Sequence, residues 1–242
     1  MLDRSHIGCG HNHVVSKPST RQPSTRGRAP RSRSNVRAGV RAPRAARLEK
    51  EALILAEAER QFARFGFEGV SLDSIATELG LSRQNMLYYY ANKEALYGAV
   101  LDSVLTSWLS SMDALAREHD PRAAIDSYIR AKLRFSQERP SGSAVFTREI
   151  MAGAPRYAEQ LARNVIPLLR ADVRTFERWA REGLVAHIDF THLMFVIWSS
   201  TQAYADLSTQ FAVFLGKRRL TERDFEAAHA LLTELVWTSL SK

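Results

Sequence analysis

The sequence predicts an all-α fold of about nine helices. Three observations carry that expectation. Apolar residues recur at steps of three and four through most of the chain and nowhere alternate as a half-buried strand would. Polar residues able to cap a helix, among them Ser71, Ser82, Asn92, Asp120, Asp189 and Thr221, stand just ahead of those runs. Gly66, Gly80 and Gly183 close three of the runs, as a residue free to take positive φ does at a helix end.

Taken in order, Leu48, Ala52, Leu55, Phe62 and Phe65 define a first amphipathic helix, stopped by Gly66. Ser71 caps a short helix whose inner face is Leu72, Ile75, Ala76 and Leu79. Gly80 turns the chain, and Ser82 caps a second short helix that packs through Met86, Leu87 and Tyr90. That helix offers Arg83, Gln84 and Asn85 at its amino end. Such a pair fits a helix-turn-helix with a DNA recognition helix, or an ordinary helical hairpin with a polar outer face. Asn92 caps a long helix predicted over 93–118. Asp120-Pro121 starts the next, to about Gln137, because proline suits the first helical position. Pro140-Ser141-Gly142 reads as a loop, then a short helix over 144–151 and a break at Gly153-Ala154-Pro155. A helix over 155–182 contains Pro167, which predicts a kink or a split. Asp189 opens a very apolar helix to about Phe214, and Thr221 with Asp224 forms the capping box of a last helix to about Leu240.

The chain has 242 residues, 45% of them hydrophobic, enough for a sizeable core. Its net charge of +8 is concentrated at the amino end: residues 1–47 hold eleven Lys and Arg against one acid, Asp3. That stretch is rich in Pro, Ser and Arg and nearly free of large apolar side chains, so it reads as a disordered basic arm. Beside a DNA-reading module it would add salt-dependent phosphate contacts. His6, Cys9, His11 and His13 could ligate a metal, although no second ligand cluster accompanies them, and no cofactor is expected. Cys9 is the single cysteine, which suits a reducing cytosol, and no segment has the length and apolarity of a membrane span or secretory signal. No G-x-S-x-G, H-E-x-x-H or phosphate-binding glycine loop occurs, which disfavours an enzyme.

Phe65-Gly66-Phe67-Glu68-Gly69-Val70-Ser71, Ile75-Ala76, Gly80-Leu81-Ser82, Leu87-Tyr88-Tyr89-Tyr90 and Lys93-Glu94-Ala95-Leu96 together resemble the amino-terminal domain of TetR-type transcriptional regulators. Glu149 to Pro155 and Ile197 to Asp206 resemble the branch of that family that controls pyrimidine utilisation and responds to uracil and thymine. The resemblance implies a helix-turn-helix domain over 48–97 and a ligand-binding and dimerisation bundle over 98–242. It implies a cytoplasmic homodimer that binds palindromic operator DNA, most simply as a repressor, and a small-molecule effector that releases it. The chain departs from the family at Tyr90, where Phe is usual, and from the branch at Arg83-Gln84-Asn85 and Pro167.

Arg83 and Gln84 are candidates for base-edge contacts, since Arg grips guanine in a fork and Gln pairs with adenine; phosphate contact or plain solvation competes. Asn85 completes that first turn. The resemblance assigns Tyr88, Tyr89 and Lys93 to the DNA backbone, with packing on the first helix as the alternative for Tyr89. Ser71 and Ser82 could add hydroxyl contacts, though capping alone explains both. Trp198 and Gln202, four residues apart, share a helix face: a flat apolar surface and an amide that matches a C=O and N–H edge. With Trp108 they correspond to effector-contacting residues of the branch; without the resemblance, core and interface would explain them. Phe146, Met151 and Trp179 are further lining candidates. Phe195, Val196, Phe211, Leu231, Leu235 and Trp237 could build a four-helix dimer interface. An unrelated apolar effector, or an adaptor of the same fold without DNA binding, stays open.

Overall fold

The computed structural model describes residues 38–110, 115 and 119–241. The described residues form ten α-helices and no strand: α1 (Ala38–Phe65), α2 (Leu72–Glu78), α3 (Arg83–Tyr89), α4 (Lys93–Leu109), α5 (Pro121–Glu138), α6 (Pro140–Met151), α7 (Ala158–Arg181), α8 (Phe190–Asp206), α9 (Ser208–Phe214) and α10 (Glu222–Leu240). Residues 1–43 and 44–242 are separate units, and every contact described below lies within the second. His6, Cys9, His11 and His13, the residues that could ligate a metal, lie outside the described residues, as does the arm over 1–37.

One apolar cluster gathers Ile54 and Phe62 of α1, Ile75 of α2, Met86 of α3 and Leu96, Tyr97 and Leu101 of α4. Phe62 and Phe67 both meet the Tyr97 ring edge-on at 4.9 Å between centroids, which fixes the start of α4 against α1. A second cluster joins Ile125 and Tyr128 of α5, Phe176 and Trp179 of α7, Met194 of α8 and Val236 of α10. Trp108 and Trp198 are half-buried against both clusters, so the carboxyl end of α4 and the middle of α8 stand where the two cores meet.

The helix predicted over 93–118 is described to Leu109, and most of its remainder lies outside the described residues. Four expectations about boundaries are corrected. α1 begins at Ala38, ten residues inside the predicted disordered arm, because Ala and Arg dominate 38–47 and both favour helix. Pro140 opens α6 rather than sitting in a loop, since its fixed φ and missing N–H suit the first turn. α7 starts at Ala158, after a turn through Ala154 at φ 53°, and runs through Pro167 without a split. The apolar helix after Asp189 is interrupted at Leu207, where φ −108° and ψ 15° separate α8 from α9.

Candidate functional site

The turn between α2 and α3 is built by the backbone. Gly80 takes φ +62°, its N–H bonds the Thr77 carbonyl at 3.1 Å, and the Leu81 N–H reaches the Ala76 carbonyl at 2.8 Å. These two bonds satisfy carbonyls that α2 would otherwise leave open and fix the angle at which α3 departs. At the other end of α2, the Ser71 hydroxyl accepts from the Ser74 N–H at 3.0 Å. In α3 the Ser82 hydroxyl accepts from the Asn85 N–H at 3.1 Å, while Met86 is fully buried. Ser82, Arg83, Gln84, Asn85 and Tyr88 face solvent together. An α-helix this exposed along one side, with Arg, Gln and Asn at its amino end, can enter a major groove.

Two of the predicted DNA residues are held inside the protein's own bonding. Arg83 is ion-paired with Asp73 of α2 at 2.5 Å, both side chains well exposed. Lys93 is half-buried: its Nζ donates to the Phe67 carbonyl at 3.0 Å and lies 4.2 Å from the centre of that ring, so it ties α4 to the α1–α2 connection. Tyr89 is half-buried against the first core, the packing alternative named for it, and meets the exposed Tyr88 edge-on at 5.1 Å. For Tyr88 the expected partner was the DNA backbone; within the protein, Arg47 of α1 lies 5.3 Å from its ring centre.

The second group of candidates converges where the cores meet. Trp108, Phe146 and Gln202 line one gap with Val104, Phe135 and Ser143; its free volume is about 10 Å³, near what one water fills. Trp198 stands behind it, edge-on to Trp108 at 4.9 Å, with its indole N–H donated to the Tyr128 hydroxyl at 2.7 Å. Burial, aided by Asp172, pushes the Tyr128 phenol well above its ordinary pKa, so it stays a neutral hydrogen-bonding group. Lys132 was not among the residues expected here. Its ammonium is buried 3.6 Å from the Trp108 ring centre and donates to the Trp108 carbonyl at 2.9 Å. Burial pushes its pKa well down from the lysine value, with Asp172 opposing. Gln202 donates to the Thr147 hydroxyl at 2.7 Å and the Asp206 carboxylate at 3.1 Å. Met151 is 83% exposed and Trp179 belongs to the second core, so neither lines the gap. Among the described residues no His, Cys, Asp and Glu cluster could hold a metal, and no helix is long and apolar enough to cross a membrane.

A pair of short helices joined by a tight turn, set on an all-α body, is the architecture of a helix-turn-helix protein. Residues 54–100 match the family described as bacterial regulatory proteins, tetR family, and residues 101–242 match the YcdC-like protein, C-terminal region. The chain belongs to the TetR family of helix-turn-helix, DNA-binding transcription regulators. It is 41% identical over 167 residues to the HTH-type transcriptional regulator RutR of Escherichia coli strain K12, covering 69% of this chain and 79% of that one. It is 27% identical over 130 residues to the HTH-type transcriptional regulator EthR of Mycolicibacterium smegmatis, covering 53% and 59%. A TetR family transcription regulator from Marinobacter aquaeolei VT8 shares the fold at TM-score 0.62 and 19% identity, covering 82% of this chain and 99% of that one.

Proposed function

We propose that the chain is a repressor that binds palindromic operator DNA as a homodimer and is released by a small planar effector, with a pyrimidine nucleobase as the leading candidate. The observation that carries the effector reading is the convergence of Trp108, Phe146 and Gln202 on one gap in front of Trp198. An aromatic wall and an amide are the pair of surfaces a nucleobase needs. The similarity to RutR, which runs through most of the chain, supports the same branch.

The gap is far too small for a six-membered ring, so entry of one must part α4, α6 and α8. α4 carries Trp108 at one end and Tyr97, packed on Phe62 and Phe67, at the other. A ring that displaces Trp108 therefore moves the helix on which the DNA-reading helices rest. The effector binds best to the displaced arrangement and shifts the population towards it. By reciprocity, operator DNA weakens effector binding by the same factor, typically about 5- to 150-fold.

The test is fluorescence anisotropy on the DNA just upstream of the protein's own gene, at two salt concentrations, with uracil, thymine and a panel of hydrophobic compounds. Uracil or thymine releases the wild-type protein, while Trp198→Ala and Gln202→Ala still bind DNA and no longer respond. Release by hydrophobic compounds alone would replace the nucleobase with an apolar effector. Absence of sequence preference at either salt concentration would sink the regulator reading.

A further inference from the structure

Four polar side chains from α6 and α8 form a closed set beside the gap. Asp206, the last residue of α8, accepts the Ser143 hydroxyl on one carboxylate oxygen at 2.7 Å. Its other oxygen accepts the Thr147 hydroxyl at 2.7 Å and the Gln202 side-chain amide at 3.1 Å. The same amide nitrogen donates to the Thr147 oxygen at 2.7 Å. An ionised carboxylate only accepts, so it fixes which way round the Gln202 amide sits. A reversed amide would set its carbonyl oxygen against the carboxylate. Gln202 has two amide hydrogens, and Thr147 and Asp206 take both. What Gln202 has left to offer the gap is its carbonyl oxygen, an acceptor.

We infer that Asp206 is a positioning residue that fixes the polarity of Gln202, and that the effector must therefore present an N–H donor to it. The inference rests on the reading of this gap as the effector site and sharpens it. A lactam or imide edge satisfies the requirement; a ring that carries only acceptor atoms leaves the Gln202 oxygen and its own acceptors facing each other. Ser143 and Thr147, both on α6, hold the carboxylate in place, so the specificity of a residue on α8 is set jointly by two helices.

Calorimetry with two probes of the same ring tests this: uracil, which has N–H donors, and 2,4-dimethoxypyrimidine, which has none. Wild-type protein binds uracil and not the dimethoxy ring. Asp206→Asn, which frees the amide to turn, weakens uracil about tenfold and narrows the discrimination between the probes. Gln202→Glu combined with Asp206→Asn reverses the donor and acceptor across the pair while keeping an acceptor towards the gap. This double variant recovers uracil binding to within about tenfold of wild type, whereas Gln202→Glu alone does not. A folded double variant that loses uracil as fully as Gln202→Ala overturns the inference, because Gln202 then serves as a donor. A readout without effector separates the two levels of the argument. The side-chain amide signals of Gln202, identified by their loss in Gln202→Leu, shift in the Asp206→Asn spectrum. Unmoved signals refute the lock whatever the effector is. If they shift and uracil still fails to bind wild-type protein, the pyrimidine reading falls and the lock stands.

Discussion

Two arginines show how burial decides what an ion pair does. Arg83 and Asp73 meet at 2.5 Å with side chains 66% and 54% exposed. Such pairs contribute about 0–1 kcal/mol, whereas a fork of Arg on a guanine edge is worth about 1–3 kcal/mol. If Arg83 reads a guanine, as proposed, the base would win the competition for it and Asp73 would act only as a rest position. Arg83→Ala should lower operator affinity about 10- to 100-fold and relax preference at one base pair, while Asp73→Ala leaves the melting temperature nearly unchanged; anisotropy on single-base operator variants and a thermal scan check both. Arg139 is the opposite case. It reaches Glu59 of α1 at 2.6 Å, with side chains only 24% and 9% exposed, and also donates to the Ser103 carbonyl and the Ser107 hydroxyl of α4. The Ser141 hydroxyl donates to the second Glu59 oxygen at 2.6 Å. Removing one partner strands the other in a poorly solvated place. Arg139→Leu should destabilise the fold by about 3 kcal/mol in chemical denaturation, and a loss under about 1 kcal/mol would mean that water replaces the guanidinium.

Helix starts depend on local chemistry, and the last helix gives a measurable case. The Asp224 carboxylate accepts the Thr221 backbone N–H and hydroxyl, both at 2.8 Å, and the Lys217 ammonium. The Lys217 bond is the largest cause, followed by the Thr221 bonds, of a carboxyl pKa lowered from 3.8 to about 2. A group lowered on folding stabilises above its unfolded pKa, and the contribution fades as pH falls from about 4 towards 2. Melting curves across that window should show wild-type stability falling towards that of Asp224→Asn, and a constant gap between the two would contradict the bonding. The same locality explains what the sequence disclosed. Ser71, Ser82, Asn92, Asp120 and Asp189 each cap the helix expected of them, because a cap needs only its own next turn. Pro140 was ambiguous, since proline both ends helices and begins them, and here it stands at the start of α6. Nothing local marks Leu207, where no glycine or proline stands at the break. Of the residues in and around the gap between α4, α6 and α8, Trp108, Phe146 and Gln202 were legible, while Lys132, Tyr128 and Asp206 were not. Their roles arise from partners 24 to 70 positions away or from another helix, a relation that spacing along one helix does not carry.

At the scale of the whole molecule, one reader helix contacts too few base pairs to select a genomic site, so a dimer is required of an operator-binding protein. The outer faces of α8 and α10 are suited to it. A groove of about 370 Å³ runs between them, lined by Leu193, Val196, Ile197, Leu232 and Leu235, and a second of about 340 Å³ passes Phe214 and Leu231. Phe195, Val196, Leu231 and Leu235 are exposed along this face, with Leu235 at 58%. Phe211 and Trp237, named with them from the sequence, are half-buried instead, Phe211 against Tyr204 at 5.2 Å and Trp237 beneath Arg122 at 5.5 Å. A two-fold axis between α8 and α10 would bring each Leu235 against its equivalent or into the partner's groove, closing an interface of the roughly 1,200–2,000 Å² that stable pairs bury. Leu235→Arg would place a charge there on each subunit while touching nothing in the protomer's own core. Sedimentation should therefore show a wild-type dimer at micromolar concentration and a Leu235→Arg monomer with an unchanged helical spectrum. Operator affinity of the variant should drop at least 100-fold, since two weak half-site contacts no longer share one complex. A variant that still sediments as a dimer would move the interface off this face; a wild-type monomer that still selects its operator would remove the need for one.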